Sequence, residues 1–258
     1  MHFIKDPQAL LAKYNFFILD LWGVIHDGQH IYPNVLDSLN LLKSLNKQVV
    51  FLSNAQRRAT KAKQVLDRLG IDETMYEAIV TSGEVAFQTL QNAQQKDKNK
   101  YYYIGPEKDR DLLVGLHYQE VASANEADMA IATGFEVDGK MSDVEQQISA
   151  ALTAGLKLIC VNPDKIVIRQ DGFKQLCAGL IAAEYKKRGG EVEYFGKPYQ
   201  HVYDYIFAIY PNINKAEMLV VGDSLETDVK GANNIGVAAA WTVSGSHMAE
   251  LDIKFGQL

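Results

Sequence analysis

Short apolar runs alternate along this chain with segments in which apolar residues recur every three or four positions. The runs FFILDLWGVI (16–25) and QVVFLSNA (48–55) predict buried strands. The segments NVLDSLNLLKSLNK (34–47) and ATKAKQVLDRLG (59–70) predict helices, and Gly70 is the residue that ends the second of them. Continuous apolar strands joined by helices are typical of a parallel sheet covered on both faces, so the pattern predicts an α/β fold.

The same alternation returns near the other end of the chain. The segments EVEYFGKP (191–198), EMLVVGDS (217–224) and VAAAWTVSG (237–245) predict strands, and YQHVYDYIFAIY (199–210) predicts a helix between the first two. We interpret these elements as the first parallel sheet resumed.

A second set of α/β elements lies between these two parts of the chain, over residues 82–179. Its predicted strands include KYYYIGP (100–106), DMAIATG (128–134) and LKLICVNPD (156–164), and its predicted helix is DVEQQISAALTAG (143–155). We therefore predict one sheet domain over residues 1–81 and 180–258 that is interrupted by a smaller α/β insertion.

The composition is that of an ordinary globular protein, with 258 residues of which 47% are hydrophobic and 22% are charged. The formal net charge of −6 argues against a nucleic-acid partner, because such proteins carry a basic surface that neutralises phosphates. No stretch reaches the roughly 18 consecutive apolar residues of a membrane span, and the first residues lack the pattern of a signal peptide. We expect a cytoplasmic protein with neither a nucleic-acid nor a membrane partner.

The two cysteines, Cys160 and Cys177, stand in the apolar contexts LKLICVNPD and FKQLCAGLI. Neither belongs to the CxxC spacing of a metal or redox site. We expect both to be small core residues in a reducing compartment, and a disulfide is the less favoured interpretation.

Polar side chains stand at or just beyond the ends of several predicted strands. They are Asp20, Ser53, Asn54, Lys197, Asp223 and Asp228. Because ligands of a parallel α/β sheet bind beyond the carboxyl ends of its strands, we expect these side chains to lie at one edge. Neighbouring carboxylates repel one another unless a cation lies among them, and Mg²⁺ takes carboxylate oxygens together with waters and phosphate oxygens. The set therefore predicts a site for a metal ion and an oxyanion.

Each of these residue types has a chemical role that it can fill. An aspartate such as Asp20 can attack phosphorus or an activated carbon and form a covalent intermediate. The Ser53 hydroxyl and the backbone N–H of Asn54 can bind a phosphoryl oxygen, and the Lys197 ammonium can balance the charge on the transferring group. Taken singly, a strand-end Asp is more often a turn residue and a Ser-Asn pair is equally often a helix cap. Their combination is what predicts a site.

The motifs DLWGV, FLSNA, GKP and VVGDSLETD, in this order, resemble those of the haloacid dehalogenase superfamily of phosphatases. The segments VNPD and LCAGLIAAEYKKRGGEVEYFGKP look like subclass IIA, whose members include sugar-phosphate, nucleotide and pyridoxal phosphate phosphatases. The resemblance spans nearly the whole chain. It implies a Rossmann-like core over residues 1–81 and 180–258 and a large α/β cap domain of the C2 type over residues 82–179.

The resemblance also implies roles at the predicted sheet edge. Asp20 would be the nucleophile that becomes an aspartyl-phosphate. Asp20 and Asp223 would hold Mg²⁺ together with the backbone carbonyl of Trp22.

Further residues would bind the phosphoryl group and the substrate. Ser53 and Lys197 would hold the phosphoryl group, and Asp228 would orient Lys197 or a metal-bound water. Arg169 lies where a cap loop would help to read a small phosphorylated metabolite. An exposed strand edge in the cap would offer a surface for a homodimer.

Trp22 departs from the family pattern. Phosphatases of this superfamily usually have a second Asp two residues after the nucleophile, which protonates the leaving alcohol and later activates water. A tryptophan can do neither, and loss of a general acid/base typically costs about 10²–10⁴-fold in rate. The backbone carbonyl of Trp22, and with it the metal site, need not change.

Three interpretations of Trp22 stay open. His26, with Asp27 beside it, could transfer the proton, although His26 could equally pack or cap within its loop. The substrate could instead carry a leaving group that needs little protonation. Turnover could also be slow, in which case the protein is a phospho-ligand-binding regulator.

We predict an Mg²⁺-dependent phosphatase that works through an aspartyl-phosphate. A hydrolase of the dehalogenase type that uses Asp20 is a further alternative, because an aromatic residue at this position also occurs in members that cleave carbon–halogen bonds. The carboxylates of GDSLETD argue against it, since that reaction requires no metal.

Overall fold

The computed structural model describes residues 8–93, 98–168 and 173–242. Its strands in chain order are β1 (Phe16–Asp20), β2 (Gln48–Ser53), β3 (Ala78–Thr81), β4 (Lys100–Ile104), β5 (Gln119–Glu120), β6 (Met129–Ala132), β7 (Leu158–Cys160), β8 (Ile166–Ile168), β9 (Lys174–Leu176), β10 (Val192–Tyr194), β11 (Met218–Gly222) and β12 (Ala238–Trp241). Its α-helices are α1 (Gln8–Lys13), α2 (Val35–Ser44), α3 (Ala59–Arg68), α4 (Ser82–Asn92), α5 (Met141–Thr153), α6 (Ala178–Lys187), α7 (Gln200–Ile209) and α8 (Lys230–Asn234).

The chain forms two compact units. The first unit contains the described parts of Met1–Ser53, Ala62–Val80 and Tyr203–Leu258, and the second unit contains those of Asn54–Lys61 and Thr81–Val202. None of the helices in the described ranges is long and apolar enough to cross a membrane.

A five-stranded sheet in the order β12-β11-β1-β2-β3 forms the centre of the first unit. Strand β1 pairs in parallel with β2 on one side and with β11 on the other. Alternate residues of β1 face different helices: Phe17 and Leu19 share a core with Leu39 of α2, whereas Phe16 packs edge to face on Tyr210, just after α7. The predicted α/β fold with a parallel sheet is confirmed.

Helix α2 shows why the spacing of apolar residues places a helix against the first sheet. Its buried residues Val35, Leu39 and Leu42 recur at helical spacing and therefore lie on one face. Burying each such side chain contributes about 1.5–3 kcal/mol relative to leaving it in water.

The second unit has its own parallel sheet, in the order β10-β7-β6-β4-β5, and a separate antiparallel pair, β8-β9. Ile104 of β4, Leu158 of β7, Ile148 of α5 and Ile181 of α6 meet in its core. Because it has a separate apolar core, this unit meets a basic requirement of a domain.

Strand β10 corrects one prediction from the sequence. We expected EVEYFGKP to resume the first sheet, but Val192 and Tyr194 pair in register with Leu158 and Cys160 of β7. Both side chains also pack on the core of the second unit. The apolar pattern of a strand specifies which of its faces is buried, but it does not specify the strand with which it pairs. The domain boundaries stay a prediction, although the two units divide the chain between Val202 and Tyr203 rather than at residue 180.

Cys160 and Cys177 are free thiols, and both are buried. Burial raises the pKa of Cys160 to about 12 and raises the pKa of Cys177 as well. Such thiols stay protonated and unreactive at neutral pH. The expectation of two small core cysteines is confirmed.

Candidate active site

Three buried carboxylates come together in the first unit. They belong to Asp20, Asp223 and Asp228, and each offers an oxygen that lies within 4.8 Å of the oxygens of the other two. Their residues are only 7%, 4% and 1% exposed. The sequence predicted this meeting from the positions of the residues relative to the strands.

The register of the sheet explains the convergence. Leu19 of β1 pairs with Val221 of β11, so Asp20 is level with Gly222 and Asp223 follows one residue later. On the other side Asp20 pairs with Leu52 of β2, and buried Ser53 comes one residue later. Because all three strands run in the same direction, their carboxyl ends place these polar residues at one edge.

The turn after β1 passes close to Asp223. Gly23 has a φ of 90°, and a Cβ at this position would overlap the carboxylate of Asp223. Glycine is the one residue that satisfies both the left-handed backbone and the close approach. The motif DLWGV therefore requires its glycine for a geometrical reason.

Backbone groups hold the carboxylates in place. The N–H of Leu21 donates to Oδ1 of Asp20 at 2.8 Å, and the N–H of Ser224 donates to Oδ2 of Asp228 at 3.2 Å. Asp228 lies in the helical turn Leu225–Val229, which begins directly after Ser224. Hydrogen bonds to charged oxygens are stronger than those between neutral groups, so these contacts orient the carboxylates before a ligand arrives.

The electrostatics of the three carboxylates favour a cation. Like charges this close raise the free energy of the charged state unless a proton or a cation compensates them. The donor atoms are carboxylate oxygens, which suit hard divalent cations such as Mg²⁺. The residues therefore fit the metal ion that the sequence predicted, with Asp228 joining Asp20 and Asp223 in the set.

Trp22 is part of a small aromatic cluster within its own loop. Its ring meets the imidazole of His26 edge to face, and the N–H of Gly23 donates to the carbonyl of His26 at 3.1 Å. The indole also lies against Gly28. These contacts show the side chain filling space within residues 22–28.

His26 is held as a neutral imidazole. The N–H of Gly28 donates to its Nδ1 at 2.9 Å, so that nitrogen accepts a hydrogen bond and the proton is on Nε2. Burial lowers the pKa of His26 to about 4, and the nearby charge of Asp27 raises it only in part. The ring is therefore uncharged at neutral pH. These contacts support the loop-building interpretation, and the proton-transfer role stays a prediction.

Asp27 has a structural role in the same loop. Its Oδ1 accepts the N–H groups of Gln29 and His30 at 2.9 and 2.6 Å. Burial disfavours the charge of Asp27, but the hydrogen bonds from His30 and Gln29 outweigh it and lower the pKa. This pattern is that of an Asx turn, which closes the loop over residues 27–30.

Lys197 and Asn54 belong to the second unit, and both are buried. Lys197 follows β10, so the expectation that it ends a strand of the first sheet is wrong. The N–H of Lys197 donates to Oδ1 of Asn54 at 2.7 Å. Within each unit, then, the structure groups Asp20, Ser53, Asp223 and Asp228 on the one hand and Asn54 with Lys197 on the other. Arg169 lies outside the described residues.

Comparison with known proteins bears on these motifs. The model of the family described as haloacid dehalogenase-like hydrolase matches residues 17–119, and a model described as HAD-hydrolase-like matches residues 194–256. Together the two matches cover more than half of the chain. The chain belongs to the haloacid dehalogenase superfamily.

Individual members of the superfamily are similar along nearly the whole chain. The sugar-phosphatase AraL of Bacillus subtilis is 26% identical over 89% of this chain and 83% of its own length. The crystal structure of a haloacid dehalogenase-like hydrolase from Brucella suis has a TM-score of 0.85 at 26% identity and covers 96% of both chains.

A second crystal structure shows the same fold at lower identity. It is a glycerol phosphate phosphatase from Mycobacterium tuberculosis in complex with magnesium, with a TM-score of 0.71 at 20% identity, covering 92% of this chain and 69% of that one.

The four motifs therefore mark a haloacid dehalogenase-type hydrolase, and within the superfamily the chain belongs with subclass IIA. The chain is an enzyme of this class, and hydrolysis of phosphoric monoesters is the reaction class of its phosphatase-named relatives.

The sequence did not single out two residues of the second unit that bear on Lys197. Asp164 accepts a hydrogen bond from Asn54 at 2.8 Å, and Asn162 shapes the turn that presents Asp164. Both belong to VNPD, which carried a family resemblance but no assigned role. The spacing of 110 residues between Asn54 and Asp164 left no local signal.

Proposed function

We propose that this haloacid dehalogenase-type hydrolase is a metal-dependent phosphatase of a small phosphorylated metabolite. The convergence of Asp20, Asp223 and Asp228 is the observation that carries the proposal. A nucleophilic aspartate beside two further carboxylates suits phosphoryl transfer with a divalent cation.

In the first step, a carboxylate oxygen of Asp20 attacks phosphorus, and the bond from phosphorus to the leaving oxygen breaks. The leaving oxygen departs with the bonding electrons and takes any proton it needs from solvent water, and Asp20 becomes an aspartyl-phosphate. A water then attacks this phosphorus, which releases inorganic phosphate and restores Asp20. Rigid placement at the end of a buried strand keeps the nucleophile oriented for both steps.

Asp20, Asp223, Asp228 and the backbone carbonyl of Trp22 are the groups that would hold the cation, and we propose Mg²⁺. When bound, the cation supplies positive charge that offsets the repulsion between these carboxylates and the phosphoryl oxygens. The oxygen-only donor set supports this choice, as does the magnesium complex of the mycobacterial phosphatase.

Ser53, the backbone N–H of Asn54 and Lys197 complete the proposal as the groups that bind the phosphoryl oxygens. A hydroxyl, an amide N–H and an ammonium are all donors, and donors aimed at developing negative charge lower the barrier. The family's motif order supports these roles. Arg169 is proposed to read the substrate, and unchanged affinities in Arg169→Ala for every accepted substrate would remove it from that role.

The missing acid at position 22 bears on which substrates are accepted. A neutral His26 supplies no proton at pH 7 in the way that an imidazolium would. We therefore propose substrates whose leaving groups need little protonation, such as acyl phosphates, phosphoanhydrides or aryl phosphates.

The second candidate function is a phospho-ligand-binding regulator with little turnover. The observation that favours it is Trp22, which stands in place of the usual Asp.

Phosphate release from a substrate panel tests the proposal. Wild type, Asp20→Asn and the exposed control Asp37→Asn are compared on alkyl, aryl and acyl phosphates, each with Mg²⁺ or with a chelator. We expect Mg²⁺-dependent release by wild type and by the control, highest on acyl or aryl phosphates, and none by Asp20→Asn.

Thermal shift with inorganic phosphate separates the two candidates. Release that survives Asp20→Asn would contradict the proposed nucleophile. Phosphate-induced stabilisation of wild type without release on any substrate would favour the regulator.

A further inference from the structure

We propose that the side chain of Asn54 is a positioning residue for Lys197, and that Asp164 in turn holds Asn54 in the required orientation. The inference rests on the proposed function in one respect, which is that Lys197 binds the phosphoryl group. All three residues lie in the second unit.

The side-chain amide of Asn54 forms two hydrogen bonds with the backbone of Lys197. Its Oδ1 accepts the N–H of Lys197 at 2.7 Å, and its Nδ2 donates to the carbonyl of Lys197 at 3.1 Å. A side-chain amide that pairs with both backbone groups of one residue imitates a strand partner. It therefore fixes both the position and the orientation of the backbone from which the lysine side chain starts.

Asp164 determines which way the Asn54 amide points. Oδ1 of Asp164 accepts a hydrogen bond from Nδ2 of Asn54 at 2.8 Å. Because the carboxylate accepts and cannot donate, it selects the rotamer in which Nδ2 faces Asp164 and Oδ1 faces the N–H of Lys197. A charge-assisted hydrogen bond of this kind is also stronger than a neutral one.

Two contacts fix Asp164 itself. Its N–H donates to Oδ1 of Asn162 at 2.9 Å, which forms a tight turn over residues 162–164. Its carbonyl accepts the N–H of Gly179 at the start of α6, at 3.0 Å. Hydrogen bonds to a loop residue and to the first turn of a helix therefore position the backbone of Asp164, from which its carboxylate extends.

Close packing keeps the lysine loop against Asn54. Gly196 has a φ of 126°, and a Cβ there would lie 2.6 Å from Oδ1 of Asn54 and 2.6 Å from Cδ of Pro163. Asn54 and Lys197 are 4% and 2% exposed, so water does not compete for these hydrogen bonds. The loop has little room to move while the amide is in place.

Lysine needs such support because its charge is carried on a flexible four-carbon chain. A displacement of about 1 Å at a reacting group can cost about 10²-fold in rate. Fixing the backbone of Lys197 removes one source of displacement, so Asn54 acts on the reaction without touching the substrate through its side chain.

A double-mutant cycle tests whether Asn54 acts through Lys197. The value of kcat/KM is measured for wild type, Asn54→Ala, Lys197→Ala and the double variant, with Asn99→Ala as a control asparagine that donates to a backbone carbonyl in the same unit. We expect the Asn54→Ala substitution to lower kcat/KM by about 10²-fold when Lys197 is present. In the Lys197→Ala background we expect it to lower kcat/KM by less than about threefold. Equal losses in both backgrounds would overturn the proposal.

Substitutions at Asp164 test the second link. Asp164→Asn keeps an oxygen that can accept from Asn54, so we expect kcat/KM to stay within about threefold of wild type, whereas Asp164→Ala should lose about tenfold. Equal losses for Asp164→Asn and Asp164→Ala would overturn a role for the acceptor oxygen.

Amide hydrogen exchange provides a readout that needs no activity. In Asn54→Ala, and in Asn54→Leu should the alanine variant not fold, the acceptor of the Lys197 N–H is lost, so we expect the Lys197 amide to exchange at least about tenfold faster than in wild type and Asn99→Ala. Unchanged protection overturns the positioning proposal. Absence of phosphate release by wild type would instead count against the proposed function, and the exchange result would still decide the role of Asn54.

Discussion

The indole of Trp22 and the imidazole of His26 meet edge to face, with ring centroids 6.1 Å apart and ring planes inclined by 76°. Trp22 lies two residues after Asp20, at the sequence position where the family resemblance implies an acid/base aspartate. The loop has an aromatic contact there, and His26 is neutral and hydrogen-bonded to Gly28. Both residues therefore shape the loop that follows the proposed nucleophile.

Replacing Trp22 by aspartate tests whether the tryptophan merely occupies the place of the acid. We expect Trp22→Asp to raise kcat on alkyl phosphates by about tenfold or more, because a carboxylic acid can protonate a poor leaving group. We also expect a loss of about 2 kcal/mol in the free energy of unfolding, because the indole contacts are lost. Kinetics and denaturant titration measure the two effects, with Trp22→Phe as the control. No gain on any substrate would mean that the loop serves a different chemistry.

The neutral state of His26 predicts a pH-dependent stability. Its pKa is about 4 in the folded protein and 6.5 when unperturbed, so between these values the unfolded chain binds more protons than the folded one. The free energy of unfolding should therefore fall as the pH is lowered from 6.5 to 4, by up to about 3 kcal/mol from this group. In His26→Asn, whose Oδ1 can still accept the N–H of Gly28, this contribution should disappear.

The exposed residue His117 offers the control for this measurement. His117→Asn should keep the full pH dependence, because His117 is exposed and belongs to the second unit. If the free energies of unfolding of His26→Asn and wild type changed with pH in parallel, the assignment of this pH dependence to His26 would be refuted.

Rates on two leaving groups test the proton-transfer role of His26 directly. Because the ring is neutral at pH 7, we expect His26→Asn to change kcat on an alkyl phosphate and on nitrophenyl phosphate by the same factor. The nitrophenolate leaves without protonation, so only a proton donor would separate the two substrates. A selective loss on the alkyl phosphate would restore His26 as the acid.

Removing the charge of Asp228 should stabilise the protein without metal and weaken its binding of Mg²⁺. In a chelator, Asp228→Asn should raise the free energy of unfolding by about 1 kcal/mol, because one of three repelling charges is removed. With Mg²⁺ the same variant should bind the ion at least about tenfold more weakly. Calorimetric titration and thermal unfolding measure both, and Asp37→Asn should leave both unchanged. Unaltered Mg²⁺ affinity would remove Asp228 from the set of groups that hold the ion.

The predictable part of the site follows from strand geometry. Apolar runs that end at Asp20, Ser53 and Gly222 read as buried parallel strands, and parallel strands bring their carboxyl ends to one edge. The positions of Asp20, Ser53 and Asp223 relative to one another thus needed no knowledge of distant contacts.

Lys197 shows where this reasoning stops. Its strand has the same local pattern as the others, yet β10 pairs with β7 in the second sheet. Pairing depends on which edge the chain reaches after folding, and a run of three half-buried residues contains no information about that edge.

Periodicity and strand-end positions are local properties of the chain, and they are enough to specify the α/β class, the superfamily motifs and the residues of the carboxylate cluster. Three features depend on contacts made in the folded protein. They are the sheet to which β10 belongs, the neutral state of His26 and the hydrogen bonds that link Asp164, Asn54 and Lys197. Burial and hydrogen bonds of this kind join residues up to 143 positions apart. They depend on distances in space that spacing along the chain does not specify.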